Sequence, residues 1–517
     1  MSELAAAAAA AVADAGTLGN DTVCDINSGD TAWVSISFVL VLGMMPALAF
    51  FEAGLLRSKN TLSIITQIFS GIAVLSTMWN VFGYSLTFGT DQGGVIGTFD
   101  NALFLDVSFS RCSPHAPTIP AAVFALFQMM FAAITPLLMT GSFAERLKFR
   151  SFMLIIILWE IFVYYPVAHW IWGNGWLAKL GTLDFAGGIV IHTTAGASCL
   201  VGALLLGRRQ GFDQYHGEFP PSNVPLAALG AGLLWMGWFG FNAGSALRAG
   251  ALSTSAIAST QIGSSMCGCV WFFIAWWRHR PSTLAILNGV IAGLAGITPA
   301  AGYINSQASL VLGLVLGVAS YFSVHFIKGR LRIDDALDVS SVHGLTGIIG
   351  ALATGLAADA SIDEGIPNGV INGGGWWLFG YQVTGVVVAG TYAAAVTFVI
   401  MKAIDRFGGL AISEEEEHHG LDHVEHGERA YDHYFDENNL ASSQISSPVP
   451  MLHAAQNIDE EDEQTALISK KPSANPSPRP PSSLSRGTTP APRISRDVNT
   501  TGSGFFFERT KLSKNIQ

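Results

Sequence analysis

The chain has 517 residues, enough for several soluble domains, yet half are hydrophobic and only 13% are charged, against roughly 25% in soluble globular proteins. Mean hydropathy is +0.41, and the 56 glycines would weaken soluble helices but let membrane helices approach closely. The net charge of −11 comes largely from acids near the C-terminus, such as Glu414 to Glu417 and Asp459 to Glu463, and no basic patch with interleaved aromatics points to a nucleic-acid partner.

In chain order, Met1 to Ala15 is an alanine run flanked by Glu3 and Asp14, without a basic n-region. It reads as an exposed leader within an extracellular N-terminal segment, 1–32, rather than as a signal peptide. Crossing a bilayer takes about 20 apolar residues. Eleven stretches reach that length, near 33–54, 61–88, 118–144, 151–170, 186–206, 224–247, 253–277, 283–302, 307–327, 338–358 and 376–401. They define an all-α integral membrane domain over 33–402.

Lys and Arg in the short connections set the orientation. One side carries fourteen, from Arg57 and Lys59 to Lys402 and Arg406, and the other carries three, Arg111, Lys179 and Arg248. The expected arrangement therefore has the N-terminus outside and the C-terminus in the cytoplasm. Cys24 and Cys112 both fall on the outer side, where a disulfide or two free thiols are open alternatives. Cys267 and Cys269 sit in an apolar run and read as small buried residues.

Composition changes after the last span. Residues 403–437 form a cytoplasmic segment with an acidic, His-containing stretch from Glu414 to Glu437. Residues 438–517 form a Ser/Pro-rich acidic tail that cannot bury a core and is expected to be disordered. His418, His419, His423, His426 and His433 could bind metal, but a solvated polar segment is the favoured reading, so no metal site is expected.

Ionisable side chains inside a membrane are costly and commonly functional. His192 lies in span five and His343 in span ten, each C-terminal to an acid: Asp184 at i−8 and Asp338 at i−5. Both are followed by small, Gly-containing helix, Thr193 to Gly196 and Gly344 to Gly347. Spans five apart run in opposite directions, as a five-plus-five inverted repeat with an extra C-terminal helix requires, and the two histidines would meet near the midplane. Two unrelated buried histidines are the bland alternative.

Aromatics form a second group. Trp172 lies in the outer loop, Phe127 and Phe131 share one face of span three at i and i+4, and span six carries Trp235 to Ser245. Such rings often form an interfacial belt. The glycines between Trp238 and Ser245 instead suggest a helix thinned where a pore passes. No nucleophile–base–orienter set, metal spacing or phosphate loop is present, so no catalytic residue, enzymatic activity or cofactor is expected.

Four stretches carry a resemblance: Phe50 to Leu55, Asp184 to His192, Trp238 to Ser245 and Asp338 to His343. Over roughly residues 30–435 the chain resembles the ammonium transporter, methylammonium permease and Rhesus family, in particular plant and algal ammonium transporters. The resemblance implies eleven helices and one pore per subunit, a homotrimer in the plasma membrane, and ammonium, ammonia and methylammonium as substrates. It implies an outer cation site of Trp172, Phe131 and Ser245, and a gate of Phe131 and Phe241. It also implies pore histidines His192 and His343, a pore-lining Trp238, and Asp184 as an acid acting in deprotonation or structure. Gly420 to Gly427 resembles a regulatory segment that reaches the neighbouring subunit. Plant members carry a phosphorylated threonine there, where this chain has Val424.

These residue types suit the ion. Stripping water from a cation costs tens of kcal/mol if nothing replaces it, and an aromatic face returns about 2 kcal/mol. Neutral ammonia escapes that penalty, and histidine is the side chain whose proton moves most readily near pH 7. The expected mechanism is electrogenic: recognition as ammonium, deprotonation near the gate, passage of ammonia past the histidines and separate movement of the proton. The alternatives are an electroneutral ammonia or carbon dioxide gas channel, and an ammonium sensor signalling through its tail.

Overall fold

The computed structural model describes residues 24–278 and 280–431. The leader reading of Met1 to Ala15, His433 and the tail from 438 lie outside the described residues. Ten described helices are long and apolar enough to cross a membrane: α1 (Ser28–Leu55), α2 (Ser58–Phe88), α3 (Ala121–Phe143), α4 (Phe149–Leu180), α5 (Gly188–Leu206), α6 (Val224–Gly244), α7 (Ala251–Arg278), and, beyond the shorter α8 (Thr283–Ile297), α9 (Ser306–Arg330), α10 (Ser340–Ala357) and α11 (Trp376–Gly408). Leu310, Val311, Val315, Phe398 and Val399 are exposed on the outer faces of α9 and α11, as a lipid-facing surface requires.

The expected span 283–302 is the departure. Only Thr283–Ile297 is helical there, 15 residues that form α8. Pro299 has no N–H with which to continue the helix, and 298–303 run as turns. The shortened end is used for packing: the Phe185 N–H donates to the Pro299 carbonyl at 3.2 Å, so the loop before α5 rests on it.

Close helix crossings explain several glycines. A Cβ on Gly230 would lie 2.3 Å from the Phe51 nitrogen, and one on Gly237 2.2 Å from Met44. One on Gly240 would meet Leu40 at 2.7 Å. These glycines of α6 therefore lie against α1, as small-residue faces do in membrane bundles. The expectation that the glycines between Trp238 and Ser245 thin the helix beside a pore is corrected: Gly240 faces Leu40 and Gly244 faces Ser37 of α1, while Trp238 and Phe241 are the buried large residues of this stretch.

At one end of the bundle, Cys24 and Cys112 form a disulfide, which tethers the segment before α1 to the short hairpin β3 (Cys112–Ser113) and β4 (Ala116–Pro120), preceded by β1 (Asp91–Gln92) and β2 (Ile96–Gly97). On the opposite side, the loops after α1, α3, α5 and α9 converge on buried charges. The Arg57 Nε lies 3.0 Å from a Glu145 oxygen, Arg209 reaches Glu145 at 2.7 Å and Asp334 at 2.8 Å, and the Asn60 amide donates to Glu145 at 2.9 Å. Burial opposes ionisation of Glu145, but the Arg209 and Arg57 guanidiniums outweigh it and hold the carboxyl down at about 2.

The acidic segment after α11 joins this network. Helix α12 (Glu414–His419) starts at a Ser413–Glu416 capping box, and α13 (Leu421–Val424) follows. Glu417 meets Arg57 at 3.1 Å and accepts the Gln210 N–H at 2.8 Å, while Asp422 accepts the Ser63 N–H at 2.7 Å. The solvated reading fits His418, His419 and His423, which are exposed, but not Glu417 and Asp422, which are buried and find the donors that loop ends leave open. Among the described residues no group of His, Cys, Asp or Glu could hold a metal ion.

Candidate functional site

The interior of the bundle holds an apolar cavity lined by Leu48, Leu138, Ile191 and Leu234, into which His192 and His343 project. Each histidine sits where its helix opens with a wide π turn, Gly188–Thr193 in α5 and Ser340–Leu345 in α10, a local form frequent at functional sites. Glycine lets these two turns meet: a Cβ on Gly196 would fall 2.2 Å from the Gly344 Cα, and one on Gly347 2.7 Å from the His192 Cβ. The imidazoles lie with Nδ1 3.2 Å from Nδ1 and ring centroids 5.2 Å apart.

That contact fixes the chemistry of the pair. A hydrogen bond between two Nδ1 atoms needs a proton on one and a lone pair on the other. A neutral pair then offers one Nε2 acceptor and one Nε2–H donor to the cavity. The His192 Nε2 is buried without a partner among the described residues, as a group facing a passing ligand would be.

The aromatics stack along the same path. Trp238 lies nearly parallel to both imidazoles, with centroids 5.8 Å from His192 and 6.5 Å from His343, and its Nε1 donates to the Thr298 hydroxyl at 2.9 Å. Phe131 and Phe241 lie 4.4 Å apart, tilted by 31°, and both are buried. Phe127 backs Phe131 edge to face at 4.9 Å. Trp172 stands edge to face with Phe131 at 6.1 Å, and its Nε1 donates to the Asp184 carbonyl at 2.8 Å. Ser245 closes the outer end of α6. Its hydroxyl donates to the Phe241 carbonyl at 2.8 Å, so its oxygen keeps its capacity to accept.

Asp184 has a specific task. Its Oδ1 accepts the N–H groups of Gly187 and Gly188, at 3.0 and 2.7 Å, and its Oδ2 those of Ile189 and Val190, at 2.8 and 2.9 Å. Four otherwise orphaned donors at the start of α5 are satisfied by one carboxyl, which leaves it no lone pair aimed at the cavity. Its counterpart in α10 is Asp335, not Asp338. Asp335 Oδ2 accepts from the Ser340 N–H at 2.7 Å and the Ser340 hydroxyl at 2.5 Å, whereas Asp338 pairs with Lys328 at 2.9 Å. Asp184 to His192 and Asp335 to His343 share one i to i+8 spacing, and that repeat was the signal available in the sequence. The apolar lining, including Met44 and Leu48, carried no comparable signal.

Six of the eight expected site residues, Trp172, Phe131, Phe241, Trp238, His192 and His343, thus form one run of ring contacts, with Ser245 bonded to the Phe241 carbonyl and Asp184 capping α5. An apolar cavity inside a bundle of membrane-length helices, with two phenyl rings and a pair of imidazoles beside it, fits a membrane channel or transporter. Residues 32–431 match the Ammonium Transporter Family, and the chain belongs to that family. Ammonium transporter 1 of Dictyostelium discoideum is 64% identical over 404 residues, covering 78% of this chain and 87% of that protein. The crystal structure of Mep2 from Saccharomyces cerevisiae aligns with a TM-score of 0.70 at 34% identity, covering 76% of this chain and 89% of that one. A solved structure described as a sensor Amt protein aligns with a TM-score of 0.70 at 29% identity, covering 77% of this chain and 98% of that one.

Proposed function

We propose that this ammonium transporter recognises its substrate as the cation and passes it as ammonia. Trp172, Phe131 and the Ser245 oxygen bind ammonium at the outer mouth, where ring faces are worth about 2 kcal/mol to a desolvated cation. Phe131 and Phe241 form the gate. The proton leaves near that gate, ammonia hydrogen-bonds past Trp238 to His192 and His343, and the proton travels separately through the imidazoles, so transport is electrogenic. Asp184 serves by holding the start of α5 and, through its carbonyl, the Trp172 indole. Potassium, which has no proton to lose, is rejected by the same apolar passage. Methylammonium, with N–H donors of its own, is a second substrate.

The observation that carries this reading is the hydrogen-bonded imidazole pair, Nδ1 to Nδ1 at 3.2 Å, next to two closely packed phenyl rings. A lone dehydrated cation has no counter-charge there, whereas a neutral amine has a donor and an acceptor. We also propose a homotrimer in the plasma membrane with its N-terminus outside. The Cys24–Cys112 disulfide supports the outward placement, since disulfides persist in oxidising compartments, and the Lys/Arg distribution supports the rest. Residues 403–437 form a cytoplasmic regulatory segment, with Val424 excluding phosphate control at that position. The reading includes no enzymatic step and no cofactor. An electroneutral gas channel is disfavoured by the outer site, because a gas needs neither Trp172 nor Ser245.

Voltage-clamped current at several external pH values tests the proposal. An inward current that saturates with ammonium and depends weakly on pH is expected. Ammonia equilibration without current would favour the gas channel.

A further inference from the structure

Resting on that reading of the pore, we infer that Glu52 is a proton-transfer group at the inner end of the passage, receiving the proton that leaves the histidine pair and returning it to ammonia on the cytoplasmic side. Met44 and Leu48 line the cavity, and Glu52 is the next position of the same i, i+4 series on α1. At 1.5 Å rise per residue it lies about 6 Å further toward the inner loops than Leu48. From the facing helix α3, Ile134 and Leu138 line the cavity, and Thr140 just beyond them contacts Glu52. The carboxyl therefore lies one turn beyond the residues of α1 and α3 that line the cavity.

The surroundings of this carboxyl differ from those of a structural acid. Glu52 is 3% exposed, and its Oε2 lies 2.7 Å from the Thr140 Oγ1. Its Oε1 lies against Gly141, where an added Cβ would sit 2.9 Å from it. No cationic side chain is paired with Glu52 among the described residues. Asp184, by contrast, has four backbone donors, and Glu145 has two arginines. Glu52 is held instead by one hydroxyl and one backbone N–H, those of Thr140 and Gly141, with no opposite charge beside it.

It also abuts the segment that leads into His343. The Leu337 N–H donates to the Gly141 carbonyl at 2.9 Å, and Val339 Cγ2 approaches the same glycine. On this segment Asp335 leaves its Oδ1 without a partner, although it is fully buried. Cys199, seven residues beyond His192 on α5, lies within electrostatic reach of both Asp335 and Glu52. Two buried carboxyls, Glu52 and Asp335, thus lie at this end of the cavity.

The step balances without a further reactant. The Glu52 carboxylate takes a proton released from the imidazole pair, directly or through water, and becomes a carboxylic acid. Its O–H bond then breaks as an N–H bond forms on emerging ammonia, which leaves as ammonium and restores the carboxylate. A glutamine of the same shape fills the site but cannot carry the proton.

The test uses full-length protein in proteoliposomes, with ammonium-driven current and stopped-flow ammonia equilibration measured side by side on wild type, Glu52→Gln and Glu52→Asp. Glu52→Gln should lower the current at least tenfold while changing ammonia equilibration less than twofold, and Glu52→Asp should recover a third or more of the current. A Glu52→Gln current equal to wild type overturns the role. So does loss of ammonia equilibration together with current, or an Asp variant no better than the Gln variant. A wild-type pore that equilibrates ammonia with no current at all overturns the separated-proton reading, and this role with it.

Discussion

The two ends of the passage are built from different materials. One end is aromatic: Trp172, Phe131 and Phe241 pack in sequence, and the nearby acid Asp184 is consumed by four backbone N–H groups. The inner face is ionic, with Glu145, Arg57, Arg209, Asp334 and Glu417 joined across four loops and the docked C-terminal segment. An end that must bind and release a cation gains from rings, which attract without fixing. An end that must hold loops in register gains from buried pairs, which are costly to separate once desolvated.

If that division is right, substitutions at the inner face should act on stability and those along the passage on transport. The largest effect is expected from Glu145→Ala, which leaves two arginines with less compensation. Breaking a buried pair costs about 3–5 kcal/mol, visible as a lowered unfolding temperature of the purified protein. The same pair sets a pH limit. The Glu145 carboxyl is held below its ordinary value, so its stabilisation is complete above the usual carboxylate range and is lost as pH falls toward about 2. The gap between wild type and Glu145→Ala should therefore narrow as acid is added, and a gap unchanged from pH 7 to pH 3 would contradict this assignment.

Next comes His343→Ala. Proton transfer by a positioned side chain contributes about a hundredfold or more, so ammonium current should fall by that order while ammonia still equilibrates. Wild-type current in this variant would remove the proton role of the pair. Trp172→Ala should raise the half-saturating ammonium concentration roughly 30-fold, the equivalent of about 2 kcal/mol, with little change in unfolding temperature. The smallest effect is expected from Ser245→Ala. Loss of one acceptor, worth about 1 kcal/mol, should raise half-saturation about fivefold and leave maximal current intact.

The passage was more legible in the sequence than the ionic face, for physical reasons. An imidazole in an apolar span is conspicuous, so His192 and His343 could be found by listing ionisable side chains in the predicted spans. Glu145, Arg209 and Asp334 sit in separate loops, where charge is ordinary, and only tertiary folding brings them together. Asp335 was overshadowed by its neighbour Asp338, although only Asp335 repeats the Asp184 spacing. Gly237 and Gly240 were visible as small residues, but periodicity does not tell which neighbour a helix face meets. The break at Pro299 shortened α8 because apolar composition continues through residues that the backbone cannot keep helical. The spans and their order were legible because hydrocarbon leaves a backbone few alternatives.

The central claim concerns what crosses, and the ratio of charge to nitrogen tests it most directly. Net charge and labelled methylammonium uptake should be measured in the same proteoliposomes under the same gradient. The account predicts close to one elementary charge per molecule taken up, with the ratio falling sharply in His343→Ala. Uptake at wild-type rate with a ratio near zero would contradict it.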